Sequence, residues 1–116
     1  MKGIYKIRIT RQAKVHLKAI RDYISRDLKE PILSIKMLEL IKSEIQLLET
    51  FPQRIKRINE SPWHDLGFRK IRIKNYYVYF WIDDQKDIVH IIAVIYVKRD
   101  QESQLKKLGV EKENKD

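Results

Sequence analysis

Between Phe68 and Trp81 the chain carries four cations, Arg69, Lys70, Arg72 and Lys74, and no carboxylate. Successive side chains of a β-strand point to opposite faces. Lys70, Arg72 and Lys74 therefore share one face, with Ile71 and Ile73 behind them. Tyr77, Tyr79 and Trp81 follow with the same period of two and complete a cationic, aromatic floor. Such a face suits a phosphodiester backbone. Its cations could also offset charge that builds on a phosphate in flight. The 2′-hydroxyl of RNA would then be the nucleophile, and no metal is required. The plainer reading is a half-buried sheet with charges turned to water, in which tyrosines serve as good strand formers.

The three histidines differ in context. His64 lies in a loop between Trp63 and Asp65, where an imidazole can move protons or simply plug a sheet edge. His16 falls on a helix and reads as structural. His90 falls within an apolar strand and reads as a packed, neutral ring. No two histidines or carboxylates have the spacing of a metal site, so neither metal nor cofactor is expected. With three glycines and no serine in a nucleophile elbow, nucleotide hydrolysis over a glycine-rich loop and the common hydrolase chemistries are disfavoured. The absence of cysteine removes thiol catalysis and disulfides and fits a reducing compartment.

The elements that must hold these residues can be read in order. Tyr5, Ile7 and Ile9 alternate with Lys6, Arg8 and Thr10, which predicts a short first strand. Thr10 is placed to cap a helix whose apolar stripe is Ala13, Leu17, Ile20, Ile24 and Leu28. Lys29-Glu30-Pro31 breaks it, with Pro31 suited to the first turn of a second helix. That helix carries Ile35, Leu38, Ile41, Ile45 and Leu48, widened by Met37, Leu40 and Leu47, and ends at Pro52. Residues 53–67 read as irregular and basic. Strands are expected at about 68–74, 76–83 and 88–97, the last apolar enough to be central. A final helical turn is expected over 103–108.

The fold class is therefore α+β with order β-α-α-β-β-β. A helical hairpin packs on one face of a mostly antiparallel four-stranded sheet. The other face is expected to be shallow or concave. One domain spans residues 1–108, followed by a charged, flexible tail at 109–116. The chain has 116 residues and a net charge of +9, with a sequence pI near 9.8. That charge favours a polyanionic partner. No apolar run approaches the roughly 20 residues that span a bilayer, and no signal peptide opens the sequence, so a cytoplasmic location without membrane contact is expected.

The segments Tyr5-Lys6-Ile7, Gln12-Ala13-Lys14, Asp22-Tyr23-Ile24 and Leu48-Glu49-Thr50-Phe51-Pro52 together resemble the start of a RelE/ParE toxin. So do Gly67-Phe68-Arg69-Lys70, Lys74-Asn75-Tyr76 with Tyr79, and the closing Val94-Ile95-Tyr96-Val97-Lys98-Arg99-Asp100-Gln101. The resemblance runs from about residue 4 to 105 and rests on the order and spacing of these pieces. It implies the toxin of a type II toxin–antitoxin pair and a cognate antitoxin protein. Two targets are implied: messenger RNA in the ribosomal A site, cut without metal, or DNA gyrase, poisoned without RNA cleavage.

Residues carried over for RNA cleavage are Lys70 and Arg72 on the middle strand and Arg99 after the last one. The family's next arginine falls on Tyr77, and its C-terminal tyrosine falls near Leu105. Tyr77, Tyr96 or His64 would then handle protons, and Lys74, Tyr79, Arg69 and Lys98 would contact RNA. The leading expectation is a ribosome-dependent messenger-RNA endonuclease acting through 2′-hydroxyl attack; the alternative is a gyrase poison.

Overall fold

The computed structural model describes residues 4–114. Strand β1 (Lys6–Ile9) leads into helix α1 (Arg11–Asp22). Thr10 joins them in two ways: its Oγ1 accepts the Ala13 N–H at 3.2 Å and donates to the Ile91 carbonyl at 2.9 Å. The cap thus fixes the helix start and pins it to the sheet. Ala13, Leu17 and Ile20 are buried. The helix then widens into a π turn over Tyr23–Asp27, whose Ile24 stays buried. Leu28 donates its N–H to the Tyr23 carbonyl, and Lys29 takes the left-handed conformation (φ 57°) in which helices often end. The expected stripe therefore stops one residue early, and Leu28 is exposed.

Helix α2 spans Pro31–Gln46. Its inner face carries Ile41 and Ile45, with Leu48 in the 3-10 turn that follows. Ile35, expected on that face, is 59% exposed, and Ser34 is buried in its place. The Ser34 hydroxyl donates to the Arg21 carbonyl at 3.0 Å, joining α2 to α1. A search for apolar spacing passes over a serine used at a close helix contact. Phe51, in the left-handed region (φ 45°), turns the chain into Pro52–Arg54.

Strands β2 (Arg69–Ile73), β3 (Tyr76–Asp83) and β4 (Ile88–Tyr96) follow, close to their expected bounds. The sheet order is β1-β4-β3-β2. β2–β3 and β3–β4 are antiparallel, while β1 joins β4 in parallel. The α+β class and the helical hairpin hold, on an open, mixed four-stranded sheet. Helix α3 spans Gln101–Asn114, longer than the single turn expected over 103–108.

Two cores lie on the two sheet faces. Under α1 and α2, Val78, Phe80, Val89, Ile91 and Val94 meet Leu17, Ile20, Ile41 and Ile45. Each such fully buried side chain contributes about 1.5–3 kcal/mol before entropy is counted. On the other face, Tyr79, Ile92 and Ile95 meet Ile58, Trp63 and Phe68 of the preceding loop and Leu105 and Leu108 of α3. The face expected to be shallow is thus roofed over much of its area by a second apolar layer.

Candidate functional site on the second sheet face

Register builds the site. Lys70 is opposite Tyr79, and Arg72 is opposite Tyr77, across the β2–β3 ladder. The Lys70 ammonium stands 4.3 Å from the Tyr77 ring centroid and 6.0 Å from that of Tyr79. This is a cation–π arrangement. The two tyrosines meet edge to face at 6.3 Å. Further along the same face Trp81 stacks on His90 at 4.4 Å, and Arg8 Nη1 donates to His90 Nδ1 at 3.1 Å. A guanidinium only donates, so His90 accepts there and is neutral in this arrangement. Lys70, Arg72, Tyr77, Tyr79 and Trp81 are therefore brought together.

Lys74 is not on that floor. It adopts φ 54° at the β2–β3 turn, and its carbonyl accepts Arg72 Nε at 2.8 Å. Arg69, of opposite parity, donates from Nη1 to the carbonyls of Gln53 and Ile55. Its Nε is buried without a hydrogen-bond partner. Burial first, and then the nearby Arg57 guanidinium, lower its pKa. Arg69 thus braces the loop beside β2.

Tyr79 is 1% exposed, and its hydroxyl donates to Gln101 Oε1 at 2.7 Å. Burial, then Tyr77 and Glu60, push its pKa far above the usual tyrosine range, so it remains a protonated donor. Gln101 in turn donates from Nε2 to the carbonyls of Tyr96 (2.8 Å) and Arg99 (2.9 Å). Sequence reasoning gave this residue no role, because the final turn was expected over 103–108, and the start of α3 at Gln101 emerges only in the structure. It holds the turn that carries Lys98 and Arg99, both exposed.

Tyr96 lies on the other side of the sheet, packed edge to face on Tyr76 at 5.9 Å. The cause is a bulge. The β3–β4 register jumps from Tyr79–Ala93 to Phe80–Ile91, leaving Ile92 as an extra residue. Before it, His90 stacks with Trp81 on the site face; after it, Ala93 and Ile95 join the second core while Val94 joins the first. One inserted residue reverses the parity of the rest of the strand, and Tyr96 is carried away from Lys70.

His64 is exposed, and its Nδ1 is 3.0 Å from the Ile58 carbonyl. A carbonyl can only accept, so the proton sits on Nδ1 and fastens the ring to its own loop. His16 accepts the Val94 N–H through Nδ1 at 3.1 Å, a structural role. A pocket of about 320 Å³ opens between the loop and α3, with Lys70, Tyr79 and Trp63 in its lining and Glu60 and Glu102 beside them. Among the described residues no group of three or more His, Cys, Asp or Glu could hold a metal, and no helix is long and apolar enough to cross a membrane.

The profile of the family described as "ParE toxin of type II toxin-antitoxin system, parDE" matches residues 7–101. The chain belongs to this ParE toxin family. Among solved structures, the toxin is similar to a chain of the chromosomal ParDE toxin–antitoxin system of P. aeruginosa. The TM-score is 0.70 at 20% identity, covering 84% of this chain and 100% of that one. It is also similar to a chain of the RelBE2 toxin–antitoxin complex of Mycobacterium tuberculosis (TM-score 0.55, 21% identity, 80% and 98% covered). A free-state mutant of the E. coli toxin RelE matches with a TM-score of 0.55 at 17% identity, covering 84% and 88%. At these identities the structures speak to the fold, which they share with the toxin. No curated protein matches the sequence significantly.

Proposed function

We propose that this toxin arrests growth by binding a protein target, DNA gyrase, rather than by cutting RNA, and that a cognate antitoxin neutralises it. The observation that carries this reading is Leu105, the position nearest the C-terminal tyrosine of RNA-cleaving relatives. It is 3% exposed and sits in the second core. Phosphodiester cleavage needs groups that move protons within hydrogen-bond reach of the reacting atoms. Here Tyr96 is behind the sheet, Tyr79 is committed to Gln101, and His64 is fastened to Ile58. Glu60 and Glu102 beside Lys70 also oppose entry of a phosphate. Membership of the ParE family and likeness to the ParDE structure support the same direction.

The second reading, a ribosome-dependent endonuclease that cuts messenger RNA in the A site, is favoured by one observation: Lys70, Arg72 and Tyr77 do converge. In it Lys70, Arg72 and Arg99 offset charge on the phosphate, and Tyr77 orients the base or passes a proton. The deciding experiment is induction without antitoxin, with parallel mapping of DNA breaks and of new RNA 5′ ends. Broken DNA and an SOS response with intact messages support gyrase. Cuts inside translated frames that vanish without ribosomes would overturn that reading and establish the endonuclease.

A further inference from the structure

Helix α2 is apolar on more of its circumference than its core contact requires. Its inner face is set by Ser34, Ile41 and Ile45. A second line, Leu33, Met37 and Leu40 of α2 continued by Leu47 in the 3-10 turn that directly follows it, runs down a flank at spacings of four, three and seven residues. At roughly 100° per residue all four lie within about 60° of Leu40, and so do Lys36 and Glu44. Leu33 is 44% exposed and Leu47 is 58% exposed, while Met37 and Leu40 are partly covered from below. Heptad-like spacing on a water-facing flank is the pattern of a helix seam awaiting another helix.

We propose that this seam pairs with itself, and that two copies of the chain associate through antiparallel α2 helices crossing at Leu40. The charges select the occupant and its direction. A two-fold axis at Leu40 places Leu33 opposite Leu47 of the second copy, because both lie seven residues from the axis. The same operation places Lys36 opposite Glu44 of the second copy, four residues on either side. The symmetry generates each contact twice. A parallel arrangement would instead set Lys36 against Lys36 and Glu44 against Glu44. One seam, read once, therefore supplies apolar complementarity and charge complementarity in a single register.

The seam is about 21 Å long at 1.5 Å per residue, which is small for a protein interface. The dimer is accordingly weak and exchanges readily. Sedimentation equilibrium on the purified full chain, from low micromolar to several hundred micromolar, should show mass rising from 14.1 kDa towards twice that value. Lys36→Glu alone and Glu44→Lys alone should each weaken association by about tenfold or more, since like charges then face each other. The double variant should restore it to within about threefold of the original. Circular dichroism on all three variants checks that they fold; Lys36 is exposed and Glu44 is half-buried. A wild-type chain that stays monomeric throughout, including one that uses this flank only for its antitoxin, overturns the proposal. So does a dimer indifferent to the single reversals, or a folded double variant that stays dissociated.

Discussion

The Tyr79 hydroxyl donates to Gln101 Oε1 at 2.7 Å, and this bond ties the floor of the second sheet face to the first residue of α3. Without it the donor would be buried and unpaired, and the Gln101 side chain would be free to release the turn at Tyr96–Arg99. Tyr79→Phe should lower stability by about 1–2 kcal/mol, the usual cost of losing a hydrogen bond and leaving one acceptor unmet. Urea denaturation of both proteins at neutral pH measures it.

The same phenol gives an alkaline prediction. Its folded pKa is raised above its unfolded value, chiefly by burial. The folded state thus holds the proton to higher pH than the unfolded state does. This contribution to stability is complete below the unfolded value of roughly 10 and is lost as pH rises from there towards the folded pKa. The urea midpoint should fall above that pH in the wild type and fall less steeply in Tyr79→Phe.

Leu105→Ala should cost about 2–4 kcal/mol, since the side chain fills the second core and its removal leaves a cavity. The loss should be read by thermal or urea unfolding, with the far-ultraviolet helix signal followed separately to see whether α3 melts first.

Lys70→Ala and Arg72→Ala separate the two functional readings. If the toxin works by protein binding, each variant should arrest growth within a few-fold of wild type when induced to equal levels. Removing one charge-stabilising donor from a phosphodiester-cleaving site instead typically costs a hundredfold or more in rate. Loss of arrest by two folded variants would favour the endonuclease.

Thr10→Ala removes both a helix cap and a bond to the Ile91 carbonyl. The expected loss is near the top of the usual capping range, about 2 kcal/mol, measured by equilibrium unfolding.

Much of the scaffold was legible because its signals are local. Alternating cations marked β2, the aromatic run marked β3 and a nearly continuous apolar run marked β4, while the Thr10 hydroxyl and Pro31 announced the two helix starts. The face shared by Lys70, Arg72, Tyr77 and Tyr79 followed from parity alone, because β3 is regular. The bulge in β4 was not legible: no residue type around Ile92 announces it, and one inserted residue put Tyr96 on the other side. Lys74 was lost to the turn by its backbone angle. The second core was illegible because Ile58, Trp63 and Phe68 come from a loop without period. Leu105 and Leu108, only three residues apart, gain meaning only when α3 is laid over the sheet. Within the expected α1–α2 hairpin, the Ser34–Arg21 bond was hidden for the opposite reason, since Ser34 is polar.

The parallel pairing of β1 with β4 also constrains how the chain can be born. Among the described strands β1 pairs with β4 alone, so every residue between them must emerge from the ribosome before β1 can dock. Until then the helical hairpin has no sheet to cover its apolar stripes, and the nascent polypeptide carries them in the open. Closing so long a loop is slow, and exposed apolar surface during that wait invites association with whatever is nearby. Docking of β1 thus waits on β4, and the apolar stripes of the hairpin stay uncovered until both strands are present.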